Sequence, residues 1–168
     1  MLQPAIGCLA IPLYQQLKRI RQQLVPLLIS SVIGCVVGVV SVVGIAWAMG
    51  APKDIILSLA PKSVTTPIAM EVSRTIGGIP ALTSCVVIFV GIFGAIYGYM
   101  ILRKTRINSP IAQGLSIGMS AHAVGTSKSM DISNSYGAFS TLGLIINGIL
   151  TAVLTPYLVM LMQAILGF

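Results

Sequence analysis

The sequence contains very few charged residues, and this shortage excludes most soluble folds. Only 8% of its 168 residues are Asp, Glu, Lys or Arg, whereas a soluble domain carries about 25%. The mean hydropathy is correspondingly high, at +0.99. This composition indicates a protein whose main solvent is lipid rather than water.

Residues that usually build catalytic and metal sites are scarce as well. The chain has three cysteines, one histidine and three acidic residues. Cys8, Cys35 and Cys85 are isolated in apolar segments without ligand spacing or a redox motif, so we interpret them as small buried hydrophobic residues. No nucleophile elbow, metal-ligand spacing or phosphate-binding loop occurs, and the sequence predicts neither an enzyme nor a cofactor.

The net charge of +7 does not indicate binding to nucleic acid, because the basic residues form no stripe among aromatic residues. Most of them stand beside apolar stretches instead. The two clusters are Lys18, Arg19 and Arg21, and Arg103, Lys104 and Arg106. This is the positive-inside pattern of membrane proteins, and it predicts that both clusters face the cytoplasm.

Three apolar stretches are each long enough to cross a bilayer. They cover residues 24–49, 79–102 and 136–168, and about 20 apolar residues suffice for one span. The last contains Pro156, where we expect a kink. Residues 1–14 are apolar but short, and we interpret them as the end of a span whose beginning is absent from the sequence. The prediction is an all-α polytopic membrane protein.

The two regions between these spans are too apolar to be ordinary loops. With both basic clusters in the cytoplasm, residues 51–78 begin and end outside the cell, and residues 107–136 begin and end inside. Irregular backbone at membrane depth is tolerated only inside protein or beside a water-filled cavity. We therefore predict that both regions re-enter the membrane as broken helices.

These two regions also resemble each other in sequence. At an offset of 60 residues they align without gaps, and Glu71 falls on Asp131 and Lys62 on His122. The identical pairs are Val64 and Val124, Thr66 and Thr126, Met70 and Met130, Ser73 and Ser133, Gly77 and Gly137, and Leu82 and Leu142. Because the two copies enter from opposite sides, we predict an inverted repeat, a plan common in secondary transporters.

Each copy carries the start and stop signals of a short helix. Thr66 and Thr126 are the expected N-caps, with Pro67 at the first helical position. Gly77 and Gly137 suit the position just past the helix end. Such a helix is about 15 Å long and crosses only half of a hydrocarbon core about 30 Å thick. Two N-termini that face each other near the midplane would favour an anion.

This arrangement predicts a site for a small organic anion. The candidate substrate-binding residues are Lys62, Ser63, Thr65, Thr66, Ser120, His122, Gly125, Thr126, Ser127 and Lys128. Backbone N–H groups would hold the carboxylate, hydroxyls would meet the substrate or water, and basic side chains would balance the charge. Glu71, Asp131 and Asn147 are candidates for coupling to an ion, because ionisable and polar residues within membranes are often functional.

Structural interpretations of the same residues stay open at this point. Lys62 can extend to a lipid headgroup, and His122 or Asn147 can hydrogen-bond a neighbouring helix. Two pairs have the i,i+3 spacing of local ion pairs: Glu71 with Arg74, and Lys128 with Asp131. The glycines and serines at positions 114–120 can serve close helix packing alone.

Two segments resemble the LrgB/CidB family of bacterial membrane proteins, whose domain the plastid glycolate/glycerate translocators share. The first reads PKSVTTPIA at residues 61–69, and the second reads SAHAVGTSKSMD at residues 120–131. In the second, Ala121 stands where Ser is usual, Lys128 fits a basic position, and Asp131 replaces Glu. The resemblance covers essentially the whole chain, although family members usually carry further spans before it.

The resemblance implies two functions for a multi-pass protein of the bacterial plasma membrane. One is transport of small monocarboxylates such as pyruvate, glycolate or glycerate. The other is antiholin-like, the regulation of murein hydrolase activity and lysis together with a holin-like partner. A channel and a homo-oligomer also stay open. We expect one domain over residues 1–168, with repeats at about 24–78 and 84–138 and a final span at about 137–168.

Overall fold

The computed structural model describes Tyr14 and residues 16–168, and this part of the chain is helical without strands. Its helices are α1 Leu17–Gln22, α2 Leu24–Ala48, α3 Lys53–Leu59, α4 Thr66–Ile76, α5 Pro80–Lys104, α6 Pro110–Ile132 and α7 Asn134–Leu166. The predicted end of a preceding span, residues 1–14 with Cys8, lies outside the described residues apart from Tyr14. The all-α prediction is confirmed for the described part.

Three of these helices are long and apolar enough to cross a bilayer, as predicted. Helices α2, α5 and α7 contain windows with mean hydropathies of 2.5, 2.4 and 2.0. Large apolar side chains point away from the protein, for example Phe89, which is 79% exposed, and Ile149, which is 63% exposed. Pro156 lies inside α7. Apolar helices of this length with outward-facing apolar side chains belong in lipid, so the protein is a multi-pass membrane protein.

One end of the bundle collects the basic residues. This basic end holds Lys18, Arg21, Arg103, Lys104 and Arg106. Helix α1 packs there beside the start of α6, because Ile20 shares one apolar cluster with Leu115, and Ile111 packs against the same cluster. The positive-inside rule assigns the basic end to the cytoplasm. We call the opposite end of the bundle the far end.

Helices α3 and α4 form the first hairpin, which enters from the far end and has its tip at residues 60–65. Ser58 of α3, Ser73 of α4 and Thr83 of α5 are fully buried. Thr83 Oγ1 lies 2.9 Å from the Ser58 carbonyl oxygen and 2.7 Å from Ser73 Oγ. Gly78 permits this close approach, since a Cβ would lie 2.6 Å from Ser73 Oγ. The hydroxyl cluster therefore fixes both arms against α5.

Helix α6 forms the second hairpin by itself. Its helical segments run from Pro110 to Ile132 and are interrupted only at His122. His122 adopts φ 41° and ψ −135°. Beyond it, a Cβ on Gly125 would lie 2.8 Å from Ile117 Cγ2. Residues eight apart in a straight helix are separated by about 12 Å, so the chain reverses at His122. We call residues 110–121 the entering arm and residues 123–132 the returning arm.

Both arms of the second hairpin pack against the start of α7. Gly118 of the entering arm lies on the Ser140 backbone, where any Cβ would collide with the carbonyl group. Thr126 of the returning arm places its Oγ1 2.9 Å from Ser140 Oγ. The second hairpin therefore enters from the basic end, opposite to the first. The two hairpins thus enter the bundle from opposite ends, and their re-entry into the membrane stays a prediction.

The predicted ends of the first short helix are partly correct. Gly77 follows α4 with φ 85°, as expected of a C-terminal glycine. Thr65 rather than Thr66 is the N-cap, and no side-chain capping hydrogen bond forms. Pro67 is consequently the second helical residue. It still suits the first turn, where an N–H has no helical acceptor.

The predicted ends of the second short helix are wrong. Thr126 lies inside the returning arm, where its hydroxyl donates to the His122 carbonyl at 2.8 Å. The returning helix begins directly after His122, so its N-terminus lies four residues before the predicted cap, Thr126. Gly137 lies inside α7, because Ser133 ends α6 and caps α7. A reversal at one residue leaves no loop in which a separate cap can form.

Candidate functional site

The tips of the two hairpins both lie close to Val87 of α5. Val64 of the first tip shares a buried apolar cluster with Val87 and with Ala69 of α4. At the second tip, His122 Nε2 lies 2.8 Å from the carbonyl oxygen of Val87. Gly91 makes room for the imidazole ring, since a Cβ there would lie 2.5 Å from the ring Cε1. The His122 side chain thus makes the interhelical hydrogen bond that was one of its two sequence interpretations.

Asn147 joins the same two hairpins from the side of α7. Its Nδ2 donates to the carbonyl oxygens of Ser63 and Met119, both at 2.9 Å. Carbonyl groups only accept hydrogen bonds, so these two partners fix the orientation of the amide. Asn147 is only 2% exposed. Its carboxamide therefore sets the distance between the first tip and the entering arm.

Between α2, the first tip and the entering arm lies a central cavity of about 300 Å³. Its lining consists of Ser30, Gly34, Cys35, Gly38, Val39, Ala60, Lys62, Ser63, Leu115, Ser116, Met119, Ser120, Asn147 and Thr151. Hydroxyl groups from α2, the first tip, the entering arm and α7 all reach it. Such a lining suits water or a small polar solute at membrane depth.

Lys62 gives this cavity a positive charge. Its Nζ lies 3.2 Å from Ser63 Oγ, a neutral partner. All three side-chain carboxylates are among the described residues, and neither ion pair formed there involves Lys62. An ammonium group without a counter-ion attracts anions more strongly at low dielectric than in water. The electrostatics of the cavity therefore favour a small anion.

The predicted coupling carboxylates form exposed local ion pairs. Arg74 Nη1 lies 2.7 Å from Glu71 Oε2, and both side chains are more than 60% exposed. Lys128 Nζ lies 3.7 Å from Asp131 Oδ2, with side chains 52% and 68% exposed. These are the i,i+3 pairs that the sequence spacing indicated. Neither carboxylate reaches the central cavity in this structure.

A second depression lies between the central cavity and the basic end. It encloses about 340 Å³, and its lining includes Gln23 before α2 and Ser109 before α6. It shares Ser30, Leu115 and Ser116 with the central cavity. Four polar side chains, Gln23, Ser30, Ser109 and Ser116, therefore lie among the apolar ones on the side of the cavity that faces the basic end.

Apolar side chains close the cavity toward the far end. Val39 and Ala60 belong both to the cavity wall and to a buried apolar cluster. The other buried members of this cluster are Val43, Ala46, Ile56, Leu57 and Val159. Val43 is 0% exposed and Ile56 is 1% exposed. A charged solute would lose its hydration in such a cluster at high cost, so the far-end side is the less favourable route into the cavity.

Only part of the predicted site lies around the cavity. Lys62, Ser63, Ser120 and Asn147 line it. The other candidates lie outside the lining: Thr65, Thr66, Glu71, His122, Gly125, Thr126, Ser127, Lys128 and Asp131. The returning arm packs on α5 and α7 instead. There Tyr99 donates to Ser129 Oγ at 2.6 Å.

Sequence reasoning missed the contribution of α2. Ser30, Gly34 and Gly38 follow each other at four-residue spacing, which places them on one helix face. This spacing could have indicated a face of small residues toward the cavity, but the stretch was interpreted only as a membrane span. Cys35 lies beside them and is buried as predicted, with its Sγ 3.6 Å from Thr151 Oγ1. Cys85 is exposed on α5, contrary to the prediction. Within the described residues, no group of three or more His, Cys, Asp or Glu side chains is placed to hold a metal ion.

Comparison with known proteins identifies the family. Residues 1–161 match the LrgB-like family, which is nearly the whole chain. The chain belongs to the LrgB-like family. The two segments whose resemblance indicated this family contribute directly to the geometry described above, since one forms the first tip and the other contains the reversal at His122.

Relatives of this LrgB-like chain occur in several bacteria. An uncharacterized protein of Haemophilus influenzae is 39% identical over 91% of this chain and 66% of its own length. The uncharacterized protein YwbG of Bacillus subtilis is 39% identical over 96% of this chain and 72% of its own. The holin-like protein CidB of Staphylococcus epidermidis is 37% identical over 96% and 70%. The chain thus spans about two thirds of the length of these relatives. No solved structure matches it significantly.

Proposed function

We propose that this chain carries small monocarboxylate anions, of the pyruvate, glycolate or glycerate type, through the central cavity. The observation that supports the proposal is the charge of Lys62, which has no carboxylate partner among the described residues. Ionisable side chains at membrane depth usually mark a solute pathway. A polar cavity with one unpaired cation is suited to an organic anion.

The cavity lining supplies further groups for such a substrate. The carboxylate would accept from Lys62 Nζ, while the hydroxyls of Ser63 and Ser120 would donate to it or to bridging water. Water occupies about 30 Å³ per molecule, so a cavity of about 300 Å³ has room for a three-carbon acid with part of its hydration shell. Larger dicarboxylates would need a second cation, and Lys62 is the only Lys or Arg in the lining.

The two hairpins would form the inverted repeat of this carrier. The repeats cover about residues 24–78 and 84–138 of one domain over residues 1–168, with a final span at about 137–168. Opposite directions of entry and the 60-residue offset support the proposal. Helix α4 and the returning arm both begin near Val87, so their positive dipole ends lie close to the middle of the bundle. Movement of one hairpin against the other would open the cavity to alternate sides.

Uptake of labelled pyruvate and glycolate into proteoliposomes tests the proposal. We expect Lys62→Gln to lower the initial rate about tenfold or more, because a hydrogen bond to a charged group is worth roughly 1.5–3 kcal/mol. Lys53→Gln is the matched control, because Lys53 is exposed at the start of α3. Uptake that is equal for Lys62→Gln and the unaltered protein contradicts the proposal.

Cysteine accessibility tests the pathway independently of any substrate. In a background with Cys8, Cys35 and Cys85 changed to Ser, Ser116→Cys should react with a membrane-impermeant maleimide added from the basic end. Val43→Cys, placed in the apolar cluster that closes the cavity, should react far more slowly. Equal reaction rates at the two positions would show that the far end is not closed. Substrate should slow the reaction of Ser116→Cys.

A second candidate function follows from the name of one relative. The Staphylococcus epidermidis protein is called a holin-like protein, and by analogy this chain would act with a small holin-like partner on murein hydrolase activity and lysis. Lysis assays with and without the partner distinguish the two functions. If Lys62→Gln abolishes uptake but leaves lysis control intact, regulation works through helix contacts. If both are lost together, transport underlies the regulation.

A further inference from the structure

An apolar groove follows the outer face of α5 beside the second hairpin. It encloses about 650 Å³, and Phe89, Phe93 and Ile101 are among its lining residues. On α5 it extends over residues 85–102, a length of about 25 Å at 1.5 Å per residue. Its position on a membrane-spanning helix turns it toward the hydrocarbon core.

Two glycines of α5 create the depth of this groove. Gly94 lies against Ala121 and Gly98 against Ile117, so close that a Cβ at either position would collide with the neighbouring side chain. The entering arm is therefore packed directly on the α5 backbone, and the larger neighbours Phe89 and Phe93 stand beside the gap. Both phenylalanines are more than half exposed.

The groove ends at a cluster of unpaired cations. Ile101 and Leu102 line its last turn, and Arg103, Lys104 and Arg106 follow directly and are exposed. Both ion pairs among the described residues involve other groups. An acyl-chain-sized groove thus runs into a positively charged surface at the level where lipid headgroups lie.

We propose that an anionic phospholipid occupies this groove, with one acyl chain along α5 and its phosphate on Arg103, Lys104 and Arg106. The hydrocarbon of one leaflet is about 15 Å thick, half of the core, so the groove accommodates a chain over its whole depth. Basic residues beside a membrane surface attract anionic lipids, by about fivefold for each Lys or Arg. The proposal rests on this surface and is independent of the transported substrate.

The bound acyl chain would also lie behind one wall of the central cavity. Ser116 and Ser120 line both the groove and the cavity. The entering arm lies between the two spaces at these serines, and a lipid in the groove would cover it on the lipid side. The lipid would therefore keep the polar cavity from opening sideways into the bilayer.

Quenching of a single tryptophan by brominated lipids tests the proposal on the full chain. Trp47 is the only tryptophan, so Trp47→Phe gives a silent background. In this background Phe93→Trp reports on the groove, and Ile149→Trp reports on an ordinary lipid-exposed position of α7, since Ile149 is 63% exposed. Vesicles contain brominated phosphatidylglycerol or brominated phosphatidylcholine at increasing mole fraction.

We expect phosphatidylglycerol to quench Phe93→Trp at a mole fraction at least fivefold lower than phosphatidylcholine, and both lipids to quench Ile149→Trp alike. Neutralising Arg103, Lys104 and Arg106 together with Gln should remove the preference at Phe93→Trp, with circular dichroism confirming the fold. Equal quenching by the two lipids overturns the proposal. So does protection from both lipids, which would mean that protein, such as a second copy of the chain, covers the groove.

Discussion

The two hairpins differ most at their tips. The first turns through residues 60–65, and this loop leaves Lys62 and Ser63 free to face the central cavity. The second reverses at a single residue, His122, with a positive φ of 41°. Its imidazole is buried, 3% exposed, and bonded to α5. Lys62 and His122 align in sequence, yet one faces the cavity and the other a helix.

This difference indicates separate roles for the aligned positions. A loop with several residues can point a side chain into open space, whereas a one-residue reversal must pack its side chain to remain stable. Positive φ is unfavourable for a residue with a Cβ, and the hydrogen bond of His122 helps to offset that cost. We therefore expect changes in the second hairpin to affect folding first, and changes in the first tip to affect solute handling first.

The largest effect on folding is expected at Gly118. Alanine there would place a Cβ against the carbonyl group of Ser140, and overpacking of this kind costs about 3 kcal/mol. The free energy of unfolding measured by titration with sodium dodecyl sulfate should fall by that amount. Gly44→Ala is the matched control, since nothing lies within 4 Å of a Cβ there. An unchanged stability for Gly118→Ala would mean that the entering arm is not seated on α7.

A smaller loss of stability is expected when Asn147 no longer joins the two hairpins. Asn147→Leu leaves the Ser63 and Met119 carbonyls without their donor, at a cost of about 2 kcal/mol. Uptake should fall as well, because the distance between the first tip and the entering arm is no longer fixed. Asn108→Leu, at an exposed position, controls for the loss of an amide. Equal stability of the two variants would contradict the bridging role.

The direct comparison of the tips is a pair of glutamine variants. His122→Gln should lower the free energy of unfolding by about 1 kcal/mol through the lost bond to Val87, with uptake per folded protein largely kept. Lys62→Gln should leave stability unchanged or raise it slightly, because a partly buried unpaired charge is costly, while uptake is lost. The reverse pattern, with stability depending on Lys62 and uptake on His122, would exchange the roles of the two tips.

Much of the fold could be predicted from sequence because hydrophobic length and basic residues are direct physical signals. They predicted the three spans, which the structure confirms, and the two interrupted regions, whose re-entry into the membrane stays a prediction. The cap of α4 was misplaced by one residue, since Thr65 and Thr66 are equally good candidates in sequence. The second reversal was mistaken for a conventional cap at Thr126. The positive φ of His122 depends on the space that Gly91 leaves for its ring. That space is a tertiary feature, so the sequence alone does not show it.

The candidate site could be predicted only where residues act through their own chemistry. Lys62, Ser63 and Ser120 were found as polar side chains at a helix break. Ser30 and Cys35 on α2 were missed, because their role depends on which face of a span packs against the break. Which face of a span packs against the break depends on tertiary contacts. Helical spacing shows that residues share one face, but not which element that face contacts.

The smallest effects are expected at the two exposed ion pairs, which occupy equivalent positions of the hairpins. Glu71→Gln and Asp131→Asn each remove one partner of a pair more than half exposed, and such pairs contribute below about 0.5 kcal/mol. Stability should change within that limit for both variants. If either carboxylate couples transport to an ion, the dependence of uptake on pH or sodium will change in that variant alone. If the pH or sodium dependence of uptake changes for only one of the two variants, the hairpins differ in function at their ion pairs as well as at their tips. If it changes for neither, the functional difference is confined to the tips.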